Sequence, residues 1–562
     1  MLRFWLALSL FAALDSAAFA GEDITWLIDY DGTSQKEPRE PAWKIIGTPR
    51  FTPGLEGLSI RDDLDTGDGS FRAAWKADPD LEVIVEATVR MGAMTGTFKT
   101  EVWPWRDGAP VCLHVSNGKF QDGLVFYPNR INTFTDRFYM VDADKGFHTY
   151  RLSIRGHDMS VAVDGKVVIQ GEGAFWKPAS SPDAFLQIGS NSKKATGDAV
   201  WKNVKLGVRK ATKAAEAPKL TVTISPPWPI TRADKVRQSR PYVYNLGQDL
   251  LLMSVAQGPD ALYEPYGVLK STDEGKTWTP IPGLDQTQKA PLPLVRLKDG
   301  SILGASRWVW PNDDGTYSAK TVKLDSKAEK FEMYDSKVNI PKGMLSPGKG
   351  NVAIFERHIW ANDDGSISVI VWTRNREEFA PKLQTAMRRS HLFRSTDLGK
   401  NWDYVSTVAP GGEPAVVKLT ETEWTAITRP TAVEPRLQAK LVPQLGADPA
   451  KITTLAGIMP MVQAFSHDGG KTWSDPAILE EGRVAPDLAL MSNGVLACSY
   501  GRPVSSVMFS LDKGKTWSTH KCVSEKAGFN YSGIVEVKPG RLLYLHDGGG
   551  LQGVYIDVEK VK

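Results

Sequence analysis

The chain has 562 residues, 50 of them glycine and 36 proline, with 68 Lys and Arg against 65 Asp and Glu and a net charge of +3. So even a balance, without a basic run long enough to follow a phosphate backbone, excludes nucleic acid as the expected partner. The three cysteines, Cys112, Cys498 and Cys522, are an odd number with no His grouped beside them, which excludes a disulfide framework and a zinc site; Cys498 and Cys522 either pair in an oxidising compartment or stay as two buried thiols.

In chain order, residues 1–20 come first: a positive start, an apolar run from Trp5 to Leu14, and Ala18-Phe19-Ala20 as a small-x-small cleavage site. They are expected to be a signal peptide cut after Ala20. No later run of about 18 apolar residues follows, so the mature chain is expected to be secreted or periplasmic, with no membrane span. Short alternating segments such as LEVIVEATV and YRLSIRGHDMSVAVDGKVVI, punctuated by DG, NG and PG turns, predict an all-β protein.

Residues 22–208 are dense in hairpin signals, including VAVDGKVVI with Asp164-Gly165 as its turn. The run HTYRLSIRGHDMSVAVDGKVVIQGEG, then AFLQIGSNS and VWKNVKLG, resembles the laminin-G and concanavalin-like family, which implies a lectin-like β-sandwich (jelly-roll). Trp103, Trp105 and Tyr127 could stack on sugars, but aromatic residues in a sandwich are usually core, and no binding site is assigned there. The charged, Ala-rich stretch 209–219 reads as a linker.

After the linker, STDEGKTW from Ser271, STDLGKNW from Ser395, SHDGGKTW from Ser466 and SLDKGKTW from Ser510 are four near-copies of one motif. In each, the Asp is expected to cap backbone donors in a tight turn, the Gly to take a conformation other residues resist, and the Trp to pack between neighbouring sheets. The motif is identified as the Asp-box of sialidase-like propellers. Six hairpins accompany it: YVYNLGQDLLLMS, LVRLKDGSILGASR, VAIFERHIWANDDGSISVIVW, AVVKLTETEWTAITR, LALMSNGVLACSYGR and GIVEVKPGRLLYLHD. At about 57 residues per repeat, they predict a six-bladed β-propeller over 220–562, with ligands at the channel where the inner strands converge.

Asp-boxes alone give only the fold. The segments between them resemble the sialidase family at the positions where that family does its chemistry. Arg240 in QSRPYVYN resembles the first of three arginines that bind the substrate carboxylate, although Pro follows it directly here. Glu413 in GGEPAVVKL, with Arg429 closing the same hairpin, resembles the tyrosine-activating Glu and the second arginine. Arg502 in LACSYGRP resembles the third, and Tyr531 in FNYSGIVEV the nucleophile. Asp260, with Glu264 four residues on, stands where the family keeps its acid/base, and Asp547 where a Glu braces the first arginine. Arg307 and Arg374 occupy similar places at strand ends, and a lone Arg there is more often a surface charge.

The resemblance implies an exo-sialidase acting on sialylated or other acidic glycans with retention, through a tyrosine nucleophile and with no cofactor or metal. Guanidinium groups suit a carboxylate because they stay charged and bond it bidentately. A non-catalytic propeller binding acidic glycans, and a hydrolase or lyase for another acidic sugar, remain open alternatives.

Overall fold

The computed structural model describes residues 23–561 except 40, 64–68, 97–107, 135–137, 172–173, 176, 178, 193–194, 211–219, 231–237, 258–265, 285–289, 346–351, 376–386, 431–434, 446–459, 481–483, 502–503 and 525–529. The expected leader, residues 1–20, lies outside them. Strand is the dominant element of the described chain, with one α-helix, Pro435–Leu441, and no described helix is long and apolar enough to cross a membrane. It divides into two compact units that part near Glu216.

In the first unit, two antiparallel sheets share one core. An eight-stranded sheet is centred on the long strands Leu81–Gly96 and Ala195–Lys210, and a seven-stranded one on Gly108–Asn117 and Ala184–Ser192. Alternate residues of both, among them Val85, Leu113, Phe126, Leu152 and Trp201, bury one face against the other. The Asp164-Gly165 turn has both residues at positive φ, 49° and 85°, the conformation a two-residue hairpin favours. The linker expected from residue 209 starts later, because the strand runs on through Lys210 and Arg209 makes a bidentate pair with Glu82 at 2.9 and 3.0 Å.

The second unit repeats one construction. Six antiparallel four-stranded meanders begin with Gln238–Asn245, Pro291–Arg296, Val352–Ala361, Gly412–Lys418, Val484–Leu490 and Ser532–Lys538. Their first two strands are the six hairpins read from the sequence. Each first strand packs beside the next, and the sixth packs beside the first, so the six form a closed cycle. The sixth meander takes its outer strand from the start of the unit: Leu220–Ile224 pairs with Gln552–Lys560, with Leu220 opposite Lys560.

The four repeated motifs connect third strands to fourth. In the motif at Ser466, Asp468 accepts the Thr472 amide at 2.9 Å and its hydroxyl at 2.6 Å, and Ser466 Oγ accepts the Gly470 amide at 2.9 Å; the other three repeat this pattern. The glycine sits at φ 83° and lies so close to the previous meander that an added Cβ would come within 2.6 Å of Leu392. The indole reaches the same way: Trp473 donates to Ser406 of the previous meander at 3.2 Å, and Trp517 to Gln463 at 3.1 Å. The motif therefore both closes a turn and keys one sheet to its neighbour. Among the described residues none of the three cysteines forms a disulfide.

Candidate active site

The first strands of the first, fourth and fifth meanders open with the same irregularity. Arg240-Pro241, Glu413-Pro414 and Ala485-Pro486 interrupt the ladder with a bulge, since proline has no N–H to contribute. The residue before each proline is at positive φ, 52°, 52° and 46°, a costly conformation for a residue with a Cβ. Such bulges re-aim a side chain out of the alternation of the strand. Two of the three positions carry a charged group. Asn530, ahead of Tyr531 in the sixth meander, is also at φ 52°.

These distortions assemble one cluster. Glu413 Oε1 accepts the Tyr531 hydroxyl at 3.2 Å and Arg429 Nη2 at 3.1 Å, while Oε2 faces Arg429 Nε at 3.1 Å and accepts the Ala485 amide at 3.1 Å. The Ala485 bulge thus supplies a backbone donor where the same bulge in other meanders supplies a side chain. The Arg240 guanidinium lies over the Tyr531 ring, 4.7 Å from its centre. Asp547 spans the two through their backbones, accepting the Arg240 amide at 3.0 Å on one oxygen and the Tyr531 amide at 2.9 Å on the other. Tyr531, Arg240 and Arg429 are all buried. Five of the seven residues singled out in the sequence therefore meet here; Asp260 and Arg502 lie outside the described residues.

Beneath the cluster is a second buried network that the sequence did not disclose. The third meander bulges between Phe355 and Ile359, and Arg357 Nη1 donates to the Ser532 carbonyl at 3.1 Å and lies 3.5 Å from Asp487. Asp487 also meets His358 Nε2 at 3.1 Å and accepts the Ile534 amide at 3.0 Å. Burial by itself would raise the Asp487 carboxyl; Arg357 and the His358 hydrogen bond outweigh it and hold the group below the usual carboxylate range. Burial likewise opposes the charge on Arg357, and Asp487 with its neighbours reverses that, leaving the guanidinium above its ordinary value. The pair fixes the backbone on both sides of Gly533, two residues past the phenol. Its one sequence signal is the run Glu356-Arg357-His358 inside an apolar strand.

A cavity of about 520 Å³ opens toward the far ends of the inner strands, lined by Tyr244, Arg296, His358, Trp360 and Glu536 among others. It contains none of Tyr531, Glu413 and Arg429, so the chemistry is assigned to the side-chain cluster and not to this hollow. Among the described residues no group of His, Cys, Asp and Glu is placed to hold a metal ion.

A phenol with an ordinary pKa of about 10 is a weak nucleophile near neutrality and needs a base in hydrogen-bond reach. Glu413 is the carboxylate that stands within that reach of the Tyr531 hydroxyl, at 3.2 Å.

The BNR/Asp-box repeat family matches residues 464–475, which hold the whole of the motif at Ser466. No curated protein matches the chain. Among solved structures it is similar to a protein of unknown function from Dyadobacter fermentans, at 18% identity over 61% of this chain and 100% of that one with a TM-score of 0.44. It is also similar to a mutant of the NanB sialidase from Streptococcus pneumoniae, at 11% identity over 86% of this chain and 95% of that one with a TM-score of 0.40. A third likeness is to a mutant of the alpha-l-arabinofuranosidase Arb93A from Fusarium graminearum, at 16% identity over 60% of this chain and 98% of that one with a TM-score of 0.39.

Proposed function

We propose that the second unit is a six-bladed propeller of the sialidase type, each meander a blade and the first strands lining its channel, and that it hydrolyses terminal sialic acid glycosides with retention. The observation that carries this reading is the Tyr531–Glu413 hydrogen bond at 3.2 Å between Arg429 and Arg240. A purely anion-binding propeller would use the arginines but has no need of a phenol set on a carboxylate. A neutral nucleophile also spares a substrate that already carries a carboxylate at its anomeric carbon, where a second carboxylate would repel it.

In the first step Tyr531 Oη attacks the anomeric carbon and its proton passes to Glu413. The glycosidic oxygen leaves with a proton from Asp260, and Arg240, Arg429 and Arg502 hold the substrate carboxylate. In the second step water, deprotonated by Asp260, displaces the phenolate, which recovers its proton from Glu413, so the net reaction consumes one water and inverts the anomeric carbon twice. The leader of residues 1–20 supports action outside the cytoplasm, and the paired sheets of the first unit support a lectin-like sandwich, to which no sugar site is assigned.

Release of 4-methylumbelliferone from its sialic acid glycoside tests the reading. A 2-fluorinated, activated sialic acid should add one sugar to the peptide containing Tyr531, found by mass spectrometry and lost in Tyr531→Phe. Label on another residue, or full turnover by Tyr531→Phe, would overturn the mechanism.

A further inference from the structure

The cavity at the far ends of the inner strands takes no part in the proposed mechanism. Five of the six first strands line it, and every residue around it is among those described. Tyr244 stands four residues beyond Arg240, and Glu536 five beyond Tyr531. At about 3.3 Å per residue, the hollow therefore lies roughly 13 to 17 Å along the strands from the cluster. Tyr242 and Asp487 come between the two places, both buried. Arg357 joins them, 3.5 Å from Asp487 and with its guanidinium carbon 4.3 Å from the centre of the Tyr242 ring.

The charged groups at this far end are committed within the protein. Arg296 donates to three carbonyls, that of Leu246, that of Gly300 at 2.7 Å and that of Ser326 at 3.1 Å. Glu536 accepts the Ser492 amide at 2.7 Å, the Ser492 hydroxyl at 3.0 Å and the Gly540 amide at 2.9 Å. Asp487 is shared between Arg357 and His358. Burial holds the Tyr244 phenol well above its usual value, so it stays neutral. An ionic ligand would bring its charge into this hollow without a counter-ion, which is costly.

The polar atoms that face a ligand are neutral. Trp360 offers an indole N–H donor, and His358 offers Nδ1 as an acceptor, because Nε2 keeps its proton toward Asp487 at 3.1 Å. The two rings run nearly parallel, 12° apart with centres separated by 6.0 Å, and Trp424 backs the indole at 5.2 Å. Leu294, Leu488 and the exposed Leu490 add apolar wall. Hydroxyls that both donate and accept, on a ring whose C–H edges can lie on an aromatic face, are what a sugar offers. The volume of about 520 Å³ falls within the range of about 300–1,000 Å³ usual for small-ligand sites.

We propose that this far end is a second carbohydrate site, for an uncharged hexopyranose, independent of the cluster around Tyr531. It stands on the contacts of the cavity, whatever substrate the cluster takes.

The test is saturation-transfer difference NMR on the full chain, titrated with methyl β-D-galactopyranoside, methyl β-D-glucopyranoside and, as the charged comparator, methyl β-D-glucuronopyranoside. At least one neutral glycoside should bind, and the glucuronide at least about 10-fold more weakly. Trp360→Leu, which removes the indole but keeps an apolar side chain, should weaken the neutral glycoside about 3- to 10-fold. Leu490→Trp, which fills the mouth from its exposed rim, should abolish the signal while leaving the polar groups in place. Saturating 2-deoxy-2,3-didehydro-N-acetylneuraminic acid should leave the affinity unchanged.

Binding of neither neutral glycoside would overturn the site. So would full affinity in either variant, which would place the sugar elsewhere in the chain. Displacement by the acidic analogue would overturn its independence from Tyr531. A glucuronide bound as tightly as the neutral compounds would overturn the assignment of an uncharged ligand.

Discussion

The Asp-box turns and the bulged starts of the inner strands are both repeated around the second unit, but they repeat different things. In the turns the residues recur: Ser, Asp, Gly and Trp hold the same places, and Ser, Asp and Gly make the same bonds four times. In the bulges the backbone recurs, with the residue before proline at φ near 50°, while the side chain changes from Arg240 to Glu413 to Ala485. A position that repeats its residue is serving the fold, since every meander faces the same packing problem. A position that repeats its geometry and varies its side chain is a mount, on which one unit can carry a cation, another a carboxylate and another a bare N–H.

Breaking each kind of position separately should yield opposite results. On the proposed mechanism, Tyr531→Phe should lower sialoside turnover on the order of 10³-fold or more, because it removes the proposed nucleophile. Its denaturant midpoint should move little, the lost hydrogen bond to Glu413 being worth about 1 kcal/mol. Large destabilisation with activity intact would erase the distinction between mount and turn.

Trp402→Ala, which deletes a fully buried indole packed on Phe355 at 5.6 Å between ring centres, should do the reverse. Urea unfolding should show a loss of about 3–5 kcal/mol, and the folded fraction should keep its kcat/KM within about twofold.

Asp487→Asn lies between these extremes, because it breaks a buried pair that also supports the backbone beside Tyr531. Breaking such a pair costs about 3 kcal/mol. Because the folded Asp487 carboxyl is held below its usual range, its contribution is fully present above the unfolded value of about 4 and is lost as pH falls through the lower folded one. Stability of the parent should therefore decline more steeply in acid than that of Asp487→Asn, as melting temperature against pH will show.

The smallest effect belongs to the polar bonds inside the turns. The Thr472 hydroxyl and amide bonds bring the exposed Asp468 carboxyl down to about 2. Carbon-13 NMR should find it ionised to about that pH, and Thr472→Val should move it upward. Its stabilising bonds are present above the unfolded value and fade as pH falls toward 2.

What could be read from the sequence follows the range of the interactions. The hairpins were legible because DG, NG and PG turns and period-two alternation are local. The boxes were legible because they repeat. Tyr531, Glu413, Arg429, Arg240 and Asp547 could be named through resemblance, and the structure brings them within bonding distance, although Asp547 reaches Arg240 through its backbone. The Arg357–Asp487 pair was not legible. It depends on strand register and on which meanders are neighbours, and Arg357 and Asp487 lie in different meanders. The sliding of the linker past Lys210 had the same cause, since Glu82, the partner of Arg209, is far off in the chain.

The pairing of Leu220 with Lys560 also bears on how the chain reaches this form. During synthesis Leu220–Ile224 emerges before any of the six first strands, yet its partner Gln552–Lys560 is made after all of them. Closure is therefore a long-range event whose loop entropy is met only when the final strand is available. Until then the outer edge of the sixth meander is open to pairing with another chain. A stop before Gln552 would leave that edge bare for good, and a chain truncated there should aggregate where one that carries Gln552–Lys560 folds, because that late strand is what shuts the structure against its neighbours.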